Sequence, residues 1–260
     1  MKKREIEKMF DLSGLVAVVT GGGDGIGRGA ALILAAAGAK VVVSNRTLEK
    51  AESVVAEIEA EGGEAMAVDC DVLRDADLVR LIDTSVSRYG TVNVLVNNAG
   101  GGGGGRENPF RIDRAYVERI YAMNVFAPWR LCQLAAPHME RSGYGSIVNV
   151  TSMSSIDKEA SMAIYGSSKA ALNHMAANLA YDFGPMGIRI NNVGPGATRT
   201  RALATVLTPE LEERMLAHTP IKRLGEVADI AAAILYFASP ASAWVSGQTL
   251  FVNGGGVQTL

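Results

Sequence analysis

The chain has 260 residues, 48% of them hydrophobic and 20% charged, with a formal net charge of −2. That composition belongs to a globular chain with a sizeable core, and the near-neutral charge excludes a global positive field for nucleic acid or anionic lipid. Cys70 and Cys132 are the only cysteines and lie far apart, so free thiols in a reducing cytoplasm are the simpler expectation than a disulfide.

The basic stretch MKKREIEKMF (1–10) runs into no signal-type apolar core, and no apolar run is long enough to span a bilayer. A soluble cytoplasmic protein with neither membrane nor nucleic-acid partner is expected, residues 1–11 forming an N-terminal extension. Strands are then predicted at LVAVVT (15–20), KVVVSN (40–45), AMAVDC (65–70), VNVLVN (92–97), GSIVNV (145–150), IRINNV (188–193) and QTLFVN (248–253). These are near-continuous apolar runs, which implies burial on both faces. Ala-rich segments of helical periodicity separate them, several ending at a glycine (Gly38, Gly62, Gly90) placed to adopt a left-handed cap. The alternation predicts one α/β domain over residues 1–260. It would be a Rossmann-type, doubly wound parallel sheet of about seven strands with helices on both faces.

Between the first strand and the first long helix stands TGGGDGIG (20–27). A turn this tight beside a phosphate needs residues without side chains, and the helix behind it offers free N–H groups and a positive dipole end. Gly21, Asp24, Gly25, Ile26 and Gly27 are therefore the first cofactor candidates, although an ordinary glycine-rich turn has the same composition. At the end of the second strand, an acidic residue would bind the adenosine ribose hydroxyls and select NAD. Here Asn45 is neutral, and the guanidinium of Arg46 suits a 2′-phosphate. A solvated arginine at a helix start is the plain alternative, and Asp24 places an anion near the same ribose. The balance favours NADP(H), with NAD(H) as the alternative.

YGSSK (165–169) puts Tyr165 and Lys169 at i and i+4 on one helix face. Free tyrosine titrates near pH 10, and bringing it near neutrality takes about 4 kcal/mol at roughly 1.36 kcal/mol per unit. A cation ~4 Å away at an effective dielectric of ~20 supplies about that much, so Lys169 is expected to lower Tyr165. Ser152, just past the fifth strand, lies at the ligand-binding carboxyl edge, where its hydroxyl would hold a substrate oxygen against the tyrosine. Asn124, polar among apolar neighbours in YAMNVFA, needs a partner, which a water-mediated relay to Lys169 would supply.

TGGGDGIG, NNAG (97–100), the asparagine of YAMNVF, the serine of VTSM, YGSSK and PGATRT (195–200), in that order, resemble the short-chain dehydrogenase/reductase family from residue 12 onward. The resemblance implies a hydride transfer between a nicotinamide dinucleotide and a secondary alcohol or ketone. Tyr165 would be the acid/base, Lys169 the group that tunes it and holds the nicotinamide ribose, Ser152 the orienting hydroxyl and Asn124 part of the proton relay. It further implies that Asp71 and Val72 border the adenine and that Asn98 sits beside a cofactor ribose. Pro195, Gly196, Thr198 and Thr200 would close over the carboxamide and pyrophosphate. A homotetramer is implied too, in keeping with the small-residue helix SSKAALNHMAANLA (167–180).

A narrower likeness, through NNAGGGGG, VTSM, RMLAHTPIKRLGE, WVSGQ and GGGVQ, is to the bacterial 7α-hydroxysteroid dehydrogenases, which act on bile acids. A glycine rim (100–105) including Gly102 and a mobile apolar lid (201–220) would suit a bulky alicyclic alcohol, although the glycines are also explained as a flexible loop. Ser152, Tyr165 and Asp157 would border the substrate. Asp157 would repel a bile-acid carboxylate, which Lys158 or Arg106 would attract. A 3-oxoacyl-carrier-protein reductase shares every motif and would need a basic surface beside the cleft. A non-catalytic dinucleotide sensor would have lost the tyrosine or the lysine. His138, His174 and His218 are scattered, so no metal is expected, and Trp129 and Trp244 are expected in the core or an interface.

Overall fold

In the computed structural model, which describes residues 2–102 and 107–256, strand and helix alternate in the expected order. A short helix, α1 (Lys3–Met9), precedes β1 (Val16–Thr20), α2 (Gly25–Ala36), β2 (Lys40–Asn45), α3 (Leu48–Ala60), β3 (Ala65–Asp69), α4 (Asp75–Tyr89) and β4 (Val94–Asn97). Then come α5 (Arg114–Tyr121), a π-helical turn (Ala122–Phe126), α6 (Ala127–Ser142), β5 (Gly145–Val150) and α7 (Ala163–Phe183). The chain continues through β6 (Ile188–Pro195), α8 (Arg201–Ala204), α9 (Pro209–Leu216), α10 (Val227–Ala238) and β7 (Thr249–Val252). All strands are parallel, in the order β3-β2-β1-β4-β5-β6-β7. The order reverses between β1 and β4, and the crevice beyond the carboxyl ends there is where such sheets take ligands.

Each central strand feeds two cores, as its unbroken apolar run requires. Ala17, Val19, Val41 and Val43 pack with Leu34, Val54, Ile230 and Phe237 from α2, α3 and α10. Their neighbours Val16, Val18 and Val42 pack with Leu81, Leu131, Met139 and Ala176 from α4, α6 and α7. The edge strands depart from the expectation of two-faced burial. β3 and β7 are only partly buried, because each lies at an edge with a single strand neighbour. α1 buries none of its residues, whereas Leu12 is wholly in the core.

A buried amide ladder pins the sheet near the crevice. Asn97 donates to Asn149 at 2.9 Å, Asn149 to Asn192 at 3.0 Å, and Asn192 to the Thr249 hydroxyl at 3.0 Å. A one-residue slip would break this chain and leave buried amides unpaired, so it holds the ends of β4, β5 and β6 in register. Cys70 and Cys132 are both buried free thiols, each pushed up to about 12, in both cases chiefly by desolvation. Trp129 is half-exposed and Trp244 is 99% exposed, so neither is a core residue. Among the described residues no helix is long and apolar enough to cross a membrane, and no cluster of three His, Cys, Asp or Glu is placed to hold a metal.

Candidate active site

The glycine turn between β1 and α2 is closed by steric need. Gly21 and Gly25 adopt φ of +61° and +52°, and a Cβ on Gly27 would stand 2.2 Å from the Gly21 carbonyl. Asp24 caps α2, its carboxylate accepting from Gly25 N–H at 2.8 Å. No partner among the described residues takes the N–H groups of Ile26 and Gly27. Two free donors at a helix N-terminus, in a turn whose glycines leave no room for a Cβ at Gly22, Gly23 and Gly27, fit a dinucleotide pyrophosphate.

Asn98 holds this turn. Its amide donates to the carbonyls of Thr20 (2.9 Å) and Gly21 (3.1 Å), while the Thr20 hydroxyl accepts the N–H groups of Asn98 and Ala99. Both amide hydrogens of Asn98 are thereby engaged in shaping the loop. The segment after β6 reaches the same turn, a Cβ on Gly25 lying 3.5 Å from Thr200 Cγ2. Thr200 caps α8 by accepting Leu203 N–H (3.2 Å), Thr198 donates its hydroxyl to the Gly196 carbonyl (3.0 Å), and Gly196 N–H ties Pro195 to β7 through Val252. Asp71 and Val72 lie partly buried just past β3, where Asp71 accepts Leu73 N–H at 3.1 Å.

At the adenosine end, Asn45 donates to the Thr47 carbonyl (2.9 Å), and Arg46 is exposed with no ion pair among the described residues. Lys50, one turn into α3, was not singled out from the sequence. It pairs with Asp24 at 3.6 Å, and its backbone abuts the turn where a Cβ on Gly23 would meet it. The anion that weighs against a 2′-phosphate is therefore already partnered by a cation.

At the reacting end, Tyr165, Ser152, Lys169 and Asn124 converge. Ser152 caps the short 3₁₀ turn after β5, its hydroxyl accepting Ser154 N–H at 3.1 Å, and stands near enough to the Tyr165 phenol to favour its ionised form. Lys169 is 3% exposed and donates to the Val150 carbonyl at 2.8 Å, its ammonium 5.9 Å from the Tyr165 ring centroid. Burial brings Lys169 down to about 8. Against the lowering expected from Lys169, burial pushes the Tyr165 phenol up from its ordinary value, and the neighbouring Ser152 hydroxyl only partly opposes this. Desolvation thus works against the charged phenolate.

Asn124 has its partners within the protein. Its carbonyl oxygen accepts Gly101 N–H (3.0 Å), and its amide donates to the Gly101 carbonyl (2.9 Å) and the Ser168 hydroxyl (2.9 Å). The polar side chain is thus satisfied without a relay, and Ser168, within YGSSK, is a supporting residue the sequence reading passed over. Pro128 has no N–H to give the Asn124 backbone carbonyl, in keeping with the π-helical turn at this point. Gly102 is packed so tightly that a Cβ would lie 2.3 Å from the Tyr165 ring. The rest of the glycine run, Gly103–Gly105, and Arg106 lie outside the described residues.

Above Tyr165 and Ser152 opens a cleft of ≈ 720 Å³. Asp157, Lys158 and Glu159 line one side, Met215 and Leu216 of α9 the other, with Ile221 and Val252 nearby. Asp157 accepts Lys158 N–H at 2.8 Å. Arg223, also in the lining, is engaged by both oxygens of Asp229, which this pair brings down to about 2. The segment 201–220 forms α8 and α9, and the residues it sends to the cleft come from the second of these and its C-terminal turn, not from Leu203 or Leu207.

A nucleotide-shaped turn facing a buried Ser-Tyr-Lys constellation defines a class of protein, and comparison with known proteins agrees. A family model described as enoyl-(acyl carrier protein) reductase matches residues 21–256. The chain belongs to this short-chain dehydrogenase/reductase family and is an oxidoreductase. It is 49% identical to the 7α-hydroxysteroid dehydrogenase of Escherichia coli K12 over 249 residues, 96% of each chain. With the 7α-hydroxysteroid dehydrogenase of Clostridium sardiniense the identity is 36% over 248 residues, 95% of each chain. A solved 7α-hydroxysteroid dehydrogenase, complexed with NADH and 7-oxo glycochenodeoxycholic acid, superposes with a TM-score of 0.93 at 47% identity, covering 100% of both chains.

Proposed function

We propose that this oxidoreductase interconverts the 7α-hydroxyl and 7-ketone of a bile acid, with NADP(H) the favoured dinucleotide and NAD(H) the alternative. The observation that carries the substrate reading is the 49% identity to the Escherichia coli enzyme across 96% of both chains. The cleft supports it, since its volume falls within the ~300–1,000 Å³ of small-molecule sites, and Met162, Met215, Leu216, Ile221 and Val252 give it apolar walls. Lys158 and Arg214 line it without an ion pair among the described residues, which suits the carboxylate of a bile-acid side chain.

When bound, the dinucleotide supplies the hydride acceptor for alcohol oxidation. Tyr165 Oη takes the hydroxyl proton as the hydride leaves the carbinol carbon, and returns it in ketone reduction. The Ser152 hydroxyl orients the reacting oxygen, and the Lys169 ammonium, steadied by Val150, favours the tyrosinate and reaches the nicotinamide ribose. Asn124 clamps Gly101 with its side chain, and its backbone carbonyl, lacking an α-helical donor, supports a water-mediated relay to Lys169. Gly21, Gly25, Ile26 and Gly27 take the pyrophosphate, Asp71 and Val72 border the adenine, and Pro195, Gly196, Thr198 and Thr200 cover the nicotinamide side. Gly102 leaves room beside the Tyr165 ring. Arg46 and Lys50 serve a 2′-phosphate.

An acyl-carrier-protein reductase would need a basic rim, but the cations Lys158, Arg214 and Arg223 alternate with Asp157, Glu159 and Asp229. The test compares kcat/KM for cholate or chenodeoxycholate with that for cyclohexanol and for reduction of an acetoacetyl thioester. A bile acid should lead; a thioester preferred by about tenfold, or roughly 1.4 kcal/mol in transition-state binding, would replace the steroid reading. The proposed enzyme is a cytoplasmic homotetramer. Supporting this, the loop bearing Trp244 packs through Gly247 on Ala177 and Ala180 of α7, beside Tyr181, which is 85% exposed. Light scattering at micromolar concentration checks the subunit number.

A further inference from the structure

We infer that Glu107 is a positioning residue for Tyr165, acting by capping the first turn of α7 from a distant part of the chain. Glu107 is 4% exposed, and its carboxylate accepts three hydrogen bonds. Ile164 N–H donates to one oxygen at 2.7 Å, while Tyr165 N–H (2.9 Å) and the Tyr116 hydroxyl of α5 (3.1 Å) donate to the other. Ile164 and Tyr165 are the second and third residues of α7, whose N–H groups have no intrahelical acceptor. The local sequence provides no substitute, because the residue at the cap position is Met162, whose side chain caps nothing. Just before it Ser161 takes φ of +63°, a left-handed conformation unusual for a serine. The Ser161 carbonyl in turn accepts Glu107 N–H at 3.2 Å. Backbone and side chain of one residue thus hold both the strained entry to the helix and its first turn.

The placement makes the effect local. Tyr165 lies in the turn that would fray without the carboxylate, whereas Lys169, one turn on, is fastened independently to Val150. The loop leading into α7 also borders the cleft through Asp157 and Lys158. Loss of Glu107 should therefore loosen the phenol relative to Ser152 while leaving the glycine turn and Lys169 in place. The inference rests on the proposal that Tyr165 is the acid/base.

The experiment measures kcat, KM and the Kd of the reduced dinucleotide for full-length Glu107→Ala and Glu107→Gln. Cholate is the substrate, or cyclohexanol if the steroid is not turned over. An ångström-scale misplacement of a reacting group costs on the order of 10²-fold, so Glu107→Ala should lose about that factor in kcat with KM and Kd within a few-fold. Glu107→Gln, which keeps one acceptor oxygen in a side chain of the same size, should recover part of the loss. In a Tyr165→Phe background, Glu107→Ala should cost nothing further, because a residue acting through the phenol has nothing left to position. Unchanged kcat in Glu107→Ala overturns the proposal. So does an undiminished loss in the Tyr165→Phe background, or a parallel fall of kcat, affinity and melting temperature in both single variants. A Tyr165→Phe enzyme with wild-type turnover overturns instead the assignment of the acid/base on which the proposal rests.

Discussion

The two ends of the crevice are built on opposite plans. At the reacting end Ser152, Lys169 and Asn124 are buried, and each is held by a backbone or side-chain partner beyond its proposed function. At the adenosine end Arg46, Lys50 and Asp24 are partly or fully exposed long or charged side chains with few partners. Burial makes each interaction strong and each misplacement costly, while solvent screens the exposed charges and leaves them adjustable. The reaction is therefore fixed by many constraints, and the choice of dinucleotide by a few weak ones. Substitutions at the two ends should differ in size and in kind.

The largest effect is expected at Tyr165. Tyr165→Phe removes only the proton-transferring oxygen and should lower kcat by roughly 10²–10⁴-fold while leaving dinucleotide affinity nearly unchanged. Because burial raises this phenol, wild-type alcohol oxidation should climb with pH as the tyrosinate forms, and ketone reduction should decline over the same range. Stopped-flow pH profiles in both directions check this. A variant keeping a tenth of the wild-type rate removes Tyr165 from the role.

Lys169 should separate stability from activity. Its folded value of about 8 lies below the ordinary 10.5, so burial opposes the ammonium. Below pH 8 both folded and unfolded chains hold this proton and the whole penalty is present. Between pH 8 and 10.5 only the unfolded chain holds it, so stability attributable to this group rises with pH. A difference of 2.5 units corresponds to about 3 kcal/mol at 1.36 kcal/mol per unit, offset by about 1–3 kcal/mol for the orphaned Val150 carbonyl. Lys169→Met should consequently be inactive yet resist urea better than the wild type at pH 7, the advantage shrinking above pH 8. Equal or lower stability at pH 7 shows that the hydrogen bond to Val150 outweighs desolvation.

These contrasts also explain what was legible in the sequence. Strands with apolar residues at every position announce themselves, which is why β1, β2 and β5 fall where the pattern puts them and only the edge strands differ in burial. Tyr165 and Lys169 are readable because four residues on a helix make neighbours. Glu107 is not, since its backbone partners lie 57 and 58 residues away. Nor does a linear pattern reveal desolvation, which opposes the lowering of Tyr165 expected from Lys169. The motif around Asn98 is visible in the sequence, while the carbonyls of Thr20 and Gly21 that engage its amide come into view only when β1 and β4 lie side by side.

At the exposed end, Arg46→Ala should weaken NADP(H) binding and spare NAD(H). A charge-assisted hydrogen bond to phosphate is worth on the order of 1.5–3 kcal/mol, or roughly ten- to a hundred-fold. Fluorescence titration of NADPH and NADH against both proteins decides it. Equal losses for the two cofactors would mean that Arg46 does not read the phosphate.

The smallest effect tests the balance between Asp24 and Lys50. Asn caps a helix about as well as Asp, so Asp24→Asn should keep the bond to Gly25 N–H, and with it the start of α2 and the glycine turn. What it removes is one negative charge beside the proposed 2′-phosphate, and with it the partner that holds Lys50 at 3.6 Å. An exposed pair of this kind is worth about 0.2–1 kcal/mol. NADPH affinity should therefore rise by a few-fold, and NADH affinity should hold or fall slightly as a ribose acceptor loses its charge. Salt should shrink the gain, because solvent-exposed charges are screened over a Debye length of ≈ 10 Å at 0.1 M. Should the wild type instead prefer NADH, and Asp24→Asn reverse that preference, the carboxylate governs the site and Arg46 and Lys50 are subordinate to it.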